Sequence, residues 1–133
     1  MGLNERLAAD SNAVIDWIRE GGAAAAALRE YATILLPLPV LGELFTGAYS
    51  SERKTDNIAA IERVISGWTI LSPDAETARE YGRVRARLRE MPKINQTRLN
   101  DLWIAALCIQ HSVPLLTNDR GFDVIAGLTV IRW

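Results

Sequence analysis

The sequence predicts an α/β fold in which a parallel central sheet is flanked by helices. Apolar segments alternate with segments of helical character along the 133 residues, and this alternation is typical of parallel sheets. A chain of this length is expected to form one domain, and 49% hydrophobic residues suffice for a sizeable core. No internal repeat or linker divides the chain, so one domain over 1–133 is predicted.

The first half of the chain alternates strand and helix patterns, each with its own local signal. A weak strand at 6–10 precedes a helix over 13–20, where three large apolar residues share one face and two glycines end the helix. The alanine-rich segment 23–31 is predicted as a second short helix. A buried strand at 33–38 then leads into a helix over 39–50, which has a proline in its first turn.

The second half continues the alternation. Apolar spacing predicts a helix over 56–66, which Gly67 stops, and then a strand at 68–71. Ser72 and Pro73 cap the next predicted helix, over 73–90. A helix over 101–111 follows, and then strands at 113–117 and 128–133.

Composition excludes several classes of protein. Fifteen Lys and Arg against sixteen Asp and Glu give a net charge of −1, so a polyanion must be held by a local patch or a metal. The single Cys108 rules out an internal disulfide and is expected to be a small buried hydrophobe. The longest apolar stretch has nine residues and the first ten residues lack a signal-peptide core, so a soluble cytoplasmic protein without a membrane partner is expected.

Four acidic residues stand at comparable places in this pattern. Asp10, Glu43 and Asp119 follow the carboxyl ends of predicted strands, the edge where open α/β sheets bind ligands. Asp101 begins a helix with hardly any polar face, so it is expected to lie inside the protein. Each acid alone could be a cap, a turn residue or a solvated side chain. Asp16 is expected to be solvated.

Crowded carboxylates predict a cation. Two unit charges 4 Å apart repel by about 4 kcal/mol at an effective dielectric near 20, unless one is protonated or a cation lies between them. One His and one Cys cannot supply a zinc site, whereas oxygen ligands suit Mg²⁺ or Mn²⁺. Such ions support phosphodiester hydrolysis.

Four segments in order resemble the PIN-domain ribonucleases, in particular the VapC-type toxins of bacterial toxin–antitoxin pairs. AADSNAVIDWI resembles the family's D-[TS]-N opening, and PVLGELFTGA resembles the segment with its glutamate. NDLWIAAL is similar to N-D-x-x-I-A-A, and LLTNDRGFDVIAGLTV is similar to the closing T-x-D-x-x-F. The first strand, RLAAD, departs from the family's run of large aliphatic residues.

The resemblance implies a five-stranded parallel sheet flanked by helices. It implies a Mg²⁺- or Mn²⁺-dependent endoribonuclease with Asp10, Glu43, Asp101 and Asp119 as the catalytic acids. Asp10, Asp101 and Asp119 would bind the metal, and Asn12 and Thr117 would support them by hydrogen bonds. The implied partners are an RNA substrate, a cognate antitoxin that covers the acidic groove, and a second copy of the chain in a homodimer.

Cationic residues could hold RNA beside the acids. The segment 79–98 has seven Lys or Arg against two Glu, most of which a solvated helix face would explain. The RNA-binding candidates are Arg85, Arg89, Lys93 and Arg98. Two other functions stay open at this point: an Asp-based phosphoacceptor or phosphatase domain, and a non-catalytic interaction module on the same scaffold.

Overall fold

A computed structural model describes residues 4–91 and 98–133 of the chain. Its five strands are β1 (Asn4–Ala9), β2 (Tyr31–Pro37), β3 (Thr69–Leu71), β4 (Leu115–Leu116) and β5 (Val130–Ile131). Its six α-helices are α1 (Ser11–Ile18), α2 (Ala23–Leu28), α3 (Leu38–Tyr49), α4 (Lys54–Gly67), α5 (Ala75–Arg89) and α6 (Leu99–Gln110), and a 3₁₀-helix spans Arg120–Val124.

The strands form one parallel sheet in the order β3-β2-β1-β4-β5. The strand order reverses at β1, which pairs with β2 on one side and with β4 on the other. Ligands bind at such a reversal, beyond the carboxyl ends of the strands. The predicted parallel α/β fold is confirmed, and the described residues contain the five strands that the resemblance implies.

The weak first strand is central because its small residues suit a doubly covered position. Leu7, Ala8 and Ala9 are fully buried. Strands covered on both faces read as continuous apolar runs rather than alternating ones. Helix α1 contacts α2, α3 and α4, and α3 also contacts α4, while α5 packs along α6 and α6 also contacts α3.

Several predicted boundaries differ from the observed ones because capping residues were assigned to the wrong position. Asp10 is the N-cap of α1, so this helix begins at Ser11, two residues before its predicted start. Helix α4 includes Gly67, the predicted stop. Helix α5 is capped by Asp74, whose carboxylate accepts a hydrogen bond from Thr77 N at 3.1 Å in a capping box. The predicted caps, Ser72 and Pro73, precede this helix and do not cap it.

The expectation that Asp16 is solvated is wrong. Its half-buried carboxylate Oδ2 accepts hydrogen bonds from Ala24 N at 3.0 Å and Ala25 N at 3.2 Å. These are free amides of the first turn of α2, whose N-cap Gly22 has no side chain. Asp16 therefore joins α1 to α2 as an N-terminal cap from a neighbouring helix.

The prediction for Cys108 is confirmed, since its side chain is 1% exposed and burial raises the pKa of its thiol. Trp17, Trp68 and Trp133 pack half-buried against the core. Within the described ranges, no helix has both the length and the apolar character that a bilayer crossing requires.

Candidate active site

The first acid, Asp10, stands where β1 ends and α1 begins. Its carboxylate Oδ1 accepts a hydrogen bond from Ser11 N at 2.9 Å, and Oδ2 accepts one from Thr117 Oγ1 at 2.6 Å. Only 6% of the residue is exposed. Burial raises the pKa of Asp10, the two hydrogen bonds oppose that rise, and the nearby Asp119 charge adds to it. Asp10 is thus a buried acid anchored on both oxygens.

Two further groups come from the segment after β4. Thr117 is fully buried and directly follows the strand, and Asp119 lies two residues later as the N-cap of the 3₁₀-helix. Asp119 N donates to Thr117 Oγ1 at 3.0 Å, and Asp119 Oδ1 accepts from Gly121 N at 2.8 Å. Because β4 pairs with β1, this segment lies beside Asp10.

Asp101 lies in the first turn of α6, on a helix that is otherwise buried along most of its length. The residue is only 7% exposed, as its apolar neighbours predict. Burial, and then the charges of Asp119 and Asp10, raise the pKa of Asp101 to about 6, against an opposing effect of Arg98. Asp101 therefore lies within electrostatic reach of both other aspartates.

Glu43 enters from α3, about one turn beyond the carboxyl end of β2. Burial is the largest cause that raises the pKa of Glu43, followed by the charges of Asp10 and Asp101. Among the described residues, no hydrogen-bond partner reaches the buried Glu43 Oε1. Because a buried acceptor without a partner costs about 1–3 kcal/mol, this oxygen is suited to an external donor or cation.

The surroundings of Gly121 show that the carboxylates of Asp119 and Asp101 lie close together. A Cβ atom on Gly121 would lie 3.1 Å from Asp119 Oδ1 and 4.0 Å from Asp101 Oδ2. The absence of a side chain at Gly121 therefore leaves space between two carboxylates. All four predicted acids meet at the carboxyl edge of the sheet, although they come from four separate segments.

The four acids do not form a closed set of metal ligands. In residues 4–91 and 98–133, no three His, Cys, Asp or Glu side chains are arranged to hold a metal ion directly. Mg²⁺ retains several waters and binds through one or two carboxylates plus substrate phosphates. An all-oxygen donor set and the unpartnered Glu43 Oε1 fit such an ion, with water and phosphate completing its coordination.

Of the supporting and RNA-binding candidates, only Thr117 and Arg98 are placed near the acids by contacts or charge among the described residues. Thr117 lies in the site, whereas Asn12 is exposed in the first turn of α1 and makes no side-chain hydrogen bond to any described residue. Arg85 donates to Tyr81 Oη at 2.8 Å, on the helix pair α5 and α6. Arg89 is exposed at the end of α5, and Lys93 lies outside the described residues. The exposed Arg98 is the N-cap of α6 and lowers the pKa values of Glu43 and Asp101.

Two contributors to the site were not predicted: the main-chain amide of Ser11 and the side-chain-free Gly121. Local signals exist for both. A residue that follows an acid at a helix start presents a free amide. A glycine two residues after an aspartate is typical of a turn in which the carboxylate accepts from the backbone, as Asp119 does.

A parallel α/β sheet with acids clustered at its carboxyl edge is consistent with a PIN-type domain. The chain belongs to the PIN-domain family, whose family model matches residues 8–128. Ribonuclease VapC5 of Mycobacterium tuberculosis is 31% identical over 101 residues, which are 76% of this chain and 73% of that protein. Ribonuclease VapC2 of Haemophilus influenzae is 33% identical over 94 residues, 70% of each chain.

Solved structures agree with this assignment. A chain of VapBC2 from Rickettsia felis, crystallised with a DNA fragment from its promoter, superimposes with a TM-score of 0.85 at 26% identity. The match covers 96% of this chain and 98% of that one. Within the PIN-domain family, the chain is therefore similar to VapC ribonucleases.

Proposed function

We propose that the protein is a Mg²⁺- or Mn²⁺-dependent endoribonuclease and the toxin of a type II toxin–antitoxin pair. The observation that carries this proposal is the convergence of four carboxylates, three of which have raised pKa values. One of the four, Glu43, has a buried oxygen, Oε1, without a hydrogen-bond partner among the described residues. Like charges held together raise one another's pKa values, such clusters are typical of functional sites, and a divalent cation offsets their repulsion. The similarity to VapC ribonucleases supports RNA as the substrate.

In this proposal, Asp10, Asp101 and Asp119 hold the cation, directly or through water. When bound, the ion neutralises charge on the phosphate and lowers the pKa of a coordinated water. Thr117 keeps the Asp10 carboxylate oriented through its short hydrogen bond. Arg98, near Glu43 and Asp101, contacts a backbone phosphate of the RNA.

Glu43 positions or deprotonates the attacking water, or binds a second ion. A carboxylate whose pKa is raised by burial accepts a proton more readily near neutral pH than an exposed one does. Attack by water in line with the 3′ oxygen forms a new P–O bond and breaks the P–O3′ bond. The products are a 5′-phosphate and a 3′-hydroxyl, with a proton delivered to the leaving oxygen from solvent.

We also propose an antitoxin as partner, because several structural neighbours are VapBC complexes. A cleft of about 340 Å³ begins at Glu43 and continues between α1, α3 and α4. Its wall is largely apolar, with Ile15, Leu44 and Ile61 among its lining residues. A polypeptide in this cleft would cover Glu43. A homodimer of this chain is likewise proposed.

The decisive experiment incubates the purified protein with total tRNA and rRNA, with Mg²⁺ or with EDTA, and analyses the cut ends. We expect cleavage with Mg²⁺ that leaves 5′-phosphates, no cleavage with EDTA, and a loss of at least about 100-fold in Asp10→Asn and in Asp101→Asn. The exposed Asp56→Asn is the matched control and should cleave normally. Full activity in both site variants, or in EDTA, would refute the assignment.

A further inference from the structure

Beyond the pairing of β4 with β5, the next hydrogen bonds between the two segments are made by a side chain, that of Asn118, rather than by the main chain. Thr117 N donates to Ile131 O at 3.0 Å, which is an ordinary rung of the parallel ladder. At the next position, the Asn118 carboxamide provides both groups: Oδ1 accepts from Trp133 N at 3.2 Å, and Nδ2 donates to Trp133 O at 3.3 Å. The carboxamide of Asn118 thus takes the place of a peptide group in the sheet.

This substitution frees the main chain around Thr117 for the active site. Asp119 N donates to Thr117 Oγ1 instead of to the neighbouring strand, and the same hydroxyl donates to Asp10 Oδ2. Thr117 O accepts from Arg132 Nη1 at 3.4 Å. The main chain therefore leaves the sheet immediately after Thr117 and turns towards the acids.

Arg132 provides a second point of attachment. Its guanidinium also forms an ion pair with Asp123, which lies in the 3₁₀-helix after Asp119. Residues 132 and 133 consequently hold the segment 117–123 at both ends: through Asn118 and the Thr117 carbonyl at the start, and through Asp123 near the end. Asp119 projects from the segment between these attachments.

We infer that Asn118 is a positioning residue that fixes Asp119 for cation binding, with Arg132 as a second anchor of the same segment. The inference rests on the proposed function, because it assigns Asp119 to the cation. Among the described residues, neither the Asn118 nor the Arg132 side chain forms a hydrogen bond with the other three acids of the site. Groups that orient metal ligands typically change metal affinity about 10–100-fold when they are removed.

The test measures Mn²⁺ binding to the RNA-free protein by electron paramagnetic resonance, and RNA cleavage as a function of Mn²⁺ concentration. Asn118→Ala should raise the dissociation constant for Mn²⁺ about tenfold. The KM for RNA should stay unchanged, and kcat should recover as Mn²⁺ is raised to saturation. A dissociation constant for Mn²⁺ equal to that of the wild type would overturn the inference.

Two further variants separate positioning from general destabilisation. Arg132→Ala removes an anchor with a partly exposed side chain, and it should weaken Mn²⁺ binding in the same direction by a smaller factor. Arg6→Ala removes a comparable side-chain to main-chain hydrogen bond, from Arg6 Nη2 to His111 O at 2.7 Å, remote from the segment. It should leave Mn²⁺ affinity unchanged, and an equal loss in Arg6→Ala would contradict the inference.

These outcomes are distinct from failure of the proposed function. A wild-type protein that binds no Mn²⁺ and cleaves no RNA would refute the function itself. A wild-type protein that does both, with an Asn118→Ala variant of unchanged Mn²⁺ affinity, would refute only the role of Asn118.

Discussion

At the residue scale, one hydroxyl group links two of the four acids. Thr117 Oγ1 donates to Asp10 at 2.6 Å and accepts from the main chain of Asp119 at 3.0 Å. Because Thr117 is fully buried, water cannot replace these bonds without a rearrangement of the site. The hydroxyl therefore determines both the orientation of the Asp10 carboxylate and the path of the chain towards Asp119.

Thr117→Val tests this role because it retains the shape of the side chain and removes the hydroxyl. We expect the free energy of unfolding to fall by about 1–3 kcal/mol, since a carboxylate loses a buried hydrogen bond. RNA cleavage should fall at least about tenfold. Thr117→Ser, measured by the same urea denaturation and cleavage assays, should recover most of both; equal losses in the two variants would show that packing rather than the hydroxyl matters.

The grouping of the four acids was predictable because Asp10, Glu43 and Asp119 follow apolar segments, and Asp101 begins an apolar helix. Their hydrogen bonds were not, since they join residues distant in sequence, such as Asp10 and Thr117. Asn12 illustrates the limit. Its place beside Asp10 in the sequence predicts support for the site, but its side chain is exposed and its role stays a prediction.

At the element scale, the junction of α1 and α2 depends on a glycine. Gly22 has a φ of +93°, in the region that other residues rarely adopt. A Cβ atom at this position would lie 2.3 Å from Asp16 Oδ1, the carboxylate that caps α2. Gly22 thus satisfies two requirements at once: an unusual backbone conformation and close approach of a capping group.

Gly22→Ala should lower the free energy of unfolding by more than about 1 kcal/mol, because the backbone is strained and the cap must move. Gly21→Ala is the matched control, because its added Cβ atom meets no atom within 4 Å and its φ is not positive. It should change stability by less than about 1 kcal/mol. Urea denaturation measures both. Equal stabilities of the two variants would contradict this account.

The helices were predicted more accurately than the strands for a physical reason. Helix α3 begins and ends within one residue of its predicted bounds, because its apolar spacing and its proline are local signals. Strand β4 has only two ladder residues of the five predicted, since its length depends on where Thr117 and Asn118 leave the sheet. That departure is decided by contacts with the last residues of the chain, which sequence spacing does not show.

At the scale of the whole molecule, clustered acids couple folding to pH. The pKa of Asp101 rises from 3.8 to about 6 on folding, and the pKa values of Asp10 and Glu43 also rise. The folded state therefore binds more protons than the unfolded state over this interval. Stability from these groups is fully present below about pH 4 and decreases as the pH rises through about 6.

We expect the melting temperature in EDTA to fall as the pH is raised from about 5 to about 7.5, and millimolar Mg²⁺ to oppose this fall by binding only the folded state. The lowered pKa of Asp74 has the opposite sign and acts at lower pH, so it does not obscure the effect. Differential scanning fluorimetry measures both curves.

Asp101→Asn isolates the largest of these contributions. The variant should melt at a higher temperature than the wild type at about pH 7.5 in EDTA, because it removes a crowded buried charge. Its response to Mg²⁺ should be smaller. The exposed Asp56→Asn should follow the wild type. A wild-type curve that is flat with pH and indifferent to Mg²⁺ would contradict electrostatic crowding at the site.

The sequence pattern predicted the α/β class and the single domain, but it could not predict the order of the strands in the sheet. Alternating elements predict a parallel sheet, but they do not determine which strands are neighbours. The position of β4 beside β1 brings Thr117 to Asp10, across 107 residues of sequence. The location of Asp101 likewise depends on how α6 packs beneath α3 and the sheet. The resemblance to a known family supplied the set of four acids, but not the strand order.

The pairing of β1 with β4 also has a consequence for biosynthesis. On the ribosome, the segment containing Asp10 emerges long before the one containing Asp119, and the two can meet only when β4 docks against β1. A partly translated chain that ends before residue 119 lacks one of the four acids. The candidate site would therefore be complete only after residue 119 has been synthesised and β4 has docked against β1.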